Sequence, residues 1–133
     1  SLSKNGKNYE AAKAFESFAK SQPNSPQVVS AMFNAAVNYE KAGSGAESVR
    51  MYENVLAVPG KENEGLRQDV KNSLAEIYKK TGQLEKAALM YEQFGRGVTG
   101  TKAKNALNNA AILWVALGRT EKAMSTFAAL DKM

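Results

Sequence analysis

Four glycines in this chain, Gly6, Gly43, Gly82 and Gly118, carry the same escort. Five residues after each stands a small side chain (Ala11, Ser48, Ala87, Ala123). Nine after stands an aromatic (Phe15, Tyr52, Tyr91, Phe127), and twelve after a bulky apolar residue (Phe18, Val55, Phe94, Leu130). The last three glycines are also preceded by an aromatic four residues back (Tyr39, Tyr78, Trp114) and by alanine seven back (Ala36, Ala75, Ala111). The glycine-to-glycine spacings are 37, 39 and 36 residues. A period in this range marks stacked helical hairpins. Each hairpin is too small to bury its own apolar stripe, so stacking on its neighbours is what stabilises it. The expected fold is all-α: an α-solenoid of stacked antiparallel helix pairs, about seven helices in all.

The chain divides into a half repeat over 1–25 and repeats over about 26–60, 61–100 and 101–133. Helices are expected over about 7–21, 26–42, 46–57, 64–81, 83–95, 101–117 and 119–132. Ser25 is placed to cap the second of these, with Pro26 at its first helical position. Gly43, Gly82 and Gly118 are placed to end first helices in the left-handed conformation that glycine tolerates. Alanine seven before the glycine and the small residue five after it fall where two antiparallel helices cross, and a larger side chain there would push the backbones apart. The aromatics reach across to neighbouring pairs. Because the chain opens after what should be a first helix, it reads as an excised or processed segment of something longer.

Composition excludes several function classes. There is no cysteine and no histidine among the 133 residues, which removes disulfides, thiolate nucleophiles and imidazole ligands together. Neither a metal nor a cofactor is expected. The longest apolar run, Ala110 to Leu117, is far short of the roughly 18 residues that span a bilayer, so no direct membrane insertion is expected. Net charge is +5, from 18 Lys and Arg against 13 Asp and Glu. The cations are scattered, without the clustered basic stripe of a nucleic-acid binder.

Gly95-Arg-Gly-Val-Thr-Gly100 literally satisfies G-x-G-x-x-G, but a helix rather than a strand precedes it, and Ala116-Leu117-Gly118 occupies the later region where a second strand would have to end in an acidic residue. It reads as a helix-to-helix loop. Glu10, Glu16, Glu47, Glu53, Glu85, Glu92 and Glu121 read as solvated helix faces, with no pocket-like acid pair among them. The expectation is a protein without enzymatic activity.

The small–glycine–small–aromatic set resembles the tetratricopeptide repeat family over the whole chain. It departs from that pattern early in the first helices, where Met32, Lys71 and Leu107 stand in place of a tryptophan-like residue, and in its longer periods. A narrower likeness covers about residues 6–43. Tyr9-Glu-Ala-Ala-Lys-Ala-Phe-Glu-Ser-Phe18, then Ser21-Gln-Pro-Asn-Ser-Pro26 and Ala31-Met-Phe-Asn-Ala-Ala-Val-Asn-Tyr39, is similar to bacterial envelope members of the Tol–Pal coordinator and barrel-assembly types. It implies a periplasmic or outer-membrane-associated setting as against the cytoplasm.

The family resemblance implies that the first helix of each pair lines a concave groove. Counting back from the glycines assigns Ser30, Phe33, Asn34, Val37 and Glu40 to that strip from one repeat. Asp69, Asn72, Ser73, Glu76 and Lys79 come from the next, and Asn105, Asn108, Asn109, Ile112 and Val115 from the last. An asparagine amide can give and accept a hydrogen bond with one peptide unit. Asn34 and Asn109 stand nine residues before their glycines, where an asparagine ladder would hold an extended peptide; Ser73 breaks the series. Phe33, Val37, Ile112 and Val115 would supply apolar anchors. Only Lys79 among these is cationic, which excludes the family's carboxylate clamp. The expected function is a non-catalytic scaffold that binds a protein or peptide partner in the groove. The competing reading is a structural element that self-associates through its open ends.

Overall fold

The computed structural model describes residues 4–133. Its described residues are all-helical: α1 (Lys4–Ser21), α2 (Val28–Lys41), α3 (Gly45–Leu56), a short 3₁₀ turn (Lys61–Asn63), α4 (Glu64–Lys80), α5 (Leu84–Gly97), α6 (Gly100–Ala116) and α7 (Thr120–Asp131). The chain forms two compact units, Ser1–Val70 and Lys71–Met133, with the boundary inside α4. In the first unit α1 packs on α2 and α2 on α3; in the second α5 packs on α6 and α6 on α7. Within each unit these consecutive helices thus lie on one another, as in a helical-repeat solenoid.

The hairpin turns are alike to the atom. Gly43, Gly82 and Gly118 have φ of +79°, +78° and +72°. The amide of the following residue (Ser44, Gln83, Arg119) donates to the carbonyl of the aromatic four before the glycine (Tyr39, Tyr78, Trp114), at 2.8 Å each time. The glycine amide itself donates to Glu40, Lys79 or Val115 at 3.0–3.2 Å. This is a Schellman motif made three times, and it satisfies carbonyls that would otherwise be orphaned at the helix end.

Burial follows the count from the glycine. Ala36, Ala75 and Ala111 are inaccessible, as are Ser48 and Ala87, and Ala123 is nearly so. In the α2–α3 pair the crossing is recorded directly: Ser48 Oγ donates to the Ala36 carbonyl at 2.9 Å. Tyr39, Tyr78 and Trp114 are buried too. Alanine at the crossings favours the helix and lets the backbones approach closely, while Tyr39, against Tyr9 and Glu16, and Trp114, against Glu92, reach into the preceding pair.

Three local expectations are corrected. Gly6 lies inside α1 and ends nothing. α2 begins at Val28 with Gln27 in the cap position, and Pro26 belongs to the preceding turn. There Ser25 Oγ accepts from the Gln27 amide, a local turn that competes with capping. The expected loop from Gly95 to Gly100 shrinks to Val98 and Thr99, because α5 continues through Gly97 and α6 starts at Gly100. Gly95 is needed where it is. A β-carbon there would come within 2.7 Å of Leu107 Cγ and 3.2 Å of the Ala103 carbonyl, so α5 and α6 meet at this residue.

Candidate functional site

Spacings of three and four along a helix place residues on one face. Ser30, Phe33, Asn34, Val37 and Glu40 therefore share a face of α2, in the first unit. Ser30 and Glu40 are exposed; Phe33, Asn34 and Val37 are half-buried. Phe33 is a packing residue as much as a surface one, with its ring edge-on to Tyr52 at 6.0 Å. Asp69, exposed, lies on the first-unit part of α4.

In the second unit α4 carries Asn72, Glu76 and Lys79 exposed and Ser73 half-buried. α6 carries Asn105, Asn108, Ile112 and Val115 exposed and Asn109 half-buried. Ile112 and Val115, the latter one residue from the end of α6, are 56% and 58% exposed. The side-chain amides of Asn34, Asn105, Asn108 and Asn109 make no hydrogen bond with other described residues. Asn34, Ser73 and Asn109, all nine before a glycine, are half-buried alike.

A regular exchange runs between the two helices of a hairpin. The Tyr52 hydroxyl donates to Glu40 at 2.8 Å, and the Tyr91 hydroxyl to Glu76 at 2.6 Å. Burial, aided by the Glu76 carboxylate, pushes the Tyr91 hydroxyl well above its ordinary pKa. In the last hairpin the tyrosine is replaced by Phe127, and the two strip positions that hold these glutamates hold Ile112 and Val115 instead. With no hydroxyl to satisfy, no carboxylate is required, and an apolar surface takes its place.

The sequence reading missed a second series. Ten residues after Gly6, Gly43 and Gly82 stand Glu16, Glu53 and Glu92. Glu53 is exposed as expected, but Glu16 is buried and Glu92 half-buried. Glu16 accepts from the Tyr39 hydroxyl at 2.5 Å and from Arg50 Nη1 and Nη2 at 2.8 and 3.1 Å, with Lys20 at 3.3 Å. The Arg50 guanidinium above all, with Tyr39 and Lys20 adding and burial opposing, holds the Glu16 carboxyl at a pKa of about 2. Burial, then the Glu16 carboxylate, pushes Tyr39 up to about 12.

Glu92 does the same work in the second unit, accepting from Trp114 Nε1 at 2.9 Å and from Thr126 Oγ1 at 3.2 Å, with Arg96 at 3.2 Å. Each carboxylate ties one second helix to the next two helices at once. These are structural clamps. Among the described residues no group of His, Cys, Asp or Glu is arranged to hold a metal. No described helix is long and apolar enough to cross a membrane.

A cavity of about 600 Å³ opens between α1 and the first half of α2, lined by Ala11, Ala14, Phe15, Phe18, Ser30 and Asn34 among others. Two of the strip residues thus border an apolar hollow that the sequence reading did not foresee.

The backbone is similar to the crystal structure of BtubC (BKLC) from P. vanneervenii, with a TM-score of 0.65 and 17% sequence identity. The match covers 96% of this chain and 56% of that one, so this chain spans little more than half of its neighbour's length. At such identity the likeness speaks for the fold alone. No protein-family model matches the sequence, and no curated protein does.

Proposed function

We propose that this chain is a non-catalytic protein-interaction segment of the tetratricopeptide repeat type, which holds a peptide or a partner protein on the exposed faces of its first helices. The observation that carries this reading is the α6 face. Ile112 and Val115 stand more than half exposed beside Asn105 and Asn108, whose amides have no hydrogen-bond partner among the described residues. Exposed aliphatics rimmed by hydrogen-bonding groups suit an extended peptide, with the aliphatics anchoring its side chains and the amides its backbone. The Asn34 and Ser30 face of α2, in the first unit, is of the same kind and offers a peptide a surface of its own. The likeness of residues 6–43 to envelope proteins favours a bacterial envelope assembly as the setting.

Panning a displayed peptide library against the protein tests this. The parent should enrich a shared motif, and Ile112→Ser with Val115→Ser should lose it while keeping the parent's circular dichroism and melting temperature. No enrichment, or equal retention by the double variant, would refute the assignment.

A further inference from the structure

Thr101, Asn105, Asn108, Ile112 and Val115 follow one another along α6 at steps of four, three, four and three residues, so they share one face. All five are exposed. The charge on that face is confined to one end. Lys102, three residues before Asn105, and Lys104, four before Asn108, flank its start, and both are exposed. α6 contains no acidic residue, and neither ammonium meets a carboxylate among the described residues. From Asn105 to Gly118 the chain has no ionisable side chain at all. The strips of α2 and α4 differ, since Glu40 sits on one and Asp69, Glu76 and Lys79 on the other. Along α6 the surface therefore passes from cationic, through amide, to aliphatic.

We infer that the α6 face selects an extended peptide segment in which an acidic side chain stands about five residues from a pair of apolar ones, with uncharged residues between. This deepens the peptide-binding reading of α6 given above and rests on it. The midpoint of the two lysines and that of the two aliphatics are about 16 Å apart at the helical rise, and an extended chain crosses that distance in about five residues. Ile112 and Val115, three residues apart, have β-carbons about 5–6 Å from each other, close to the roughly 7 Å between alternate side chains of an extended strand. Each therefore receives one of an alternate pair, while the amides of Asn105 and Asn108 meet the peptide units between that pair and the acid. A charged side chain seated on Ile112 and Val115 would lose water with no counter-ion on the face to replace it. An acidic side chain over Lys102 and Lys104 gains two cations, and a basic one there is repelled.

Overall charge does not account for such a preference. The net charge of +5 favours any acidic peptide, wherever in its sequence the acid stands. The distance between the acid and the apolar pair is set by α6 alone.

The probe is a random peptide library displayed by C-terminal fusion, so that side chains supply its only carboxylates. Panning against the parent should enrich Asp or Glu about five residues from an apolar–any–apolar triplet, without Lys or Arg between them. Against the double variant Lys102→Glu with Lys104→Glu, Lys or Arg should take the acid's place at the same distance, although that protein stays net positive. Acidic residues suit the first turn of a helix, so the variant should keep the parent's circular dichroism. A synthetic copy of the enriched peptide should bind the parent about three- to tenfold more weakly once its acid is changed to the amide, and that loss should vanish in the double variant. A shared motif with no acid at this distance, or one that charge reversal leaves unchanged, overturns the inference while leaving α6 a peptide-binding face. No enrichment at all overturns both.

Discussion

Replacing Glu16 by glutamine should cost the first unit about 1–2 kcal/mol at neutral pH, and the cost should depend on pH in a defined way. A carboxyl held at about 2, from an ordinary 4.5, contributes about 3 kcal/mol to folding when ionised. That figure is an upper bound, because the Arg50 side chain is 49% exposed and that of Lys20 75%, where solvent screens them. A second route gives a similar size: the buried Tyr39 hydroxyl and the Arg50 fork lose a charge-assisted acceptor, worth roughly 1–3 kcal/mol. The Glu16 pKa is depressed by folding. Its contribution is therefore complete above the ordinary 4.5 and disappears as pH falls towards about 2.

Urea unfolding followed by circular dichroism, on the parent and on Glu16→Gln, measures the gap at a series of pH values. The gap should be full at pH 7, shrink below about pH 4.5 and close near pH 2, and added salt should reduce it. Glu10→Gln, at an exposed position of the same helix, should produce no gap of this form. A gap of the same size at pH 7 and pH 3 would mean that shape rather than charge is lost. No gap at pH 7 would remove Glu16 from the list of groups that hold α1, α2 and α3 together.

Two helical glycines should respond to alanine with opposite signs. Gly65→Ala meets open space and should stabilise by about 0.5–1 kcal/mol through helix propensity, whereas Gly95→Ala drives a methyl into Leu107 and should destabilise by about 1–3 kcal/mol; thermal melts of both decide it, and a shared sign refutes the α5–α6 contact. In a tyrosine absorbance titration Tyr39 and Tyr91 should ionise late, Tyr39 at about 12. Because folding raises these values, the stability they lend is complete below about pH 10 and is lost as pH rises through the folded values. Complete ionisation of all five tyrosines by pH 11 would contradict the Tyr39–Glu16 and Tyr91–Glu76 bonds.

The parts of this fold that were legible in the sequence are those a one-dimensional count can reach. Glycine seven residues after one alanine and five before a small residue is a steric statement, and Ala36, Ser48, Ala75, Ala87 and Ala111 are buried accordingly. The count started this helix at about residue 7; it starts at Lys4, so Gly6 lies inside it while the residues that follow still obey the register. α1 keeps the face of a second helix whether or not a turn precedes it.

Glu16 and Glu92 escaped because a lone glutamate on a helix is solvated by default. Only the recurrence of the same residue ten after three glycines sets them apart, and their donors Arg50 and Thr126 come from the following hairpin, 34 residues away. The strip residues could be grouped by helix face from their spacing. What it did not reveal is that Phe33 is partly spent on Tyr52, and that Ile112 and Val115 are free because Phe127 asks nothing of them.

Trp114 is the only tryptophan in the chain, and it is wholly buried, with Glu92 on its indole nitrogen and the Lys122 ammonium 4.7 Å from its ring centre. Its emission is thus an intrinsic fluorophore for residues 71–133 alone, whereas far-ultraviolet ellipticity counts helix in both units. The two signals recorded on one sample make the untagged protein its own two-channel thermometer. Superimposed transitions would define a single cooperative melt, and displaced ones would give each unit a midpoint of its own.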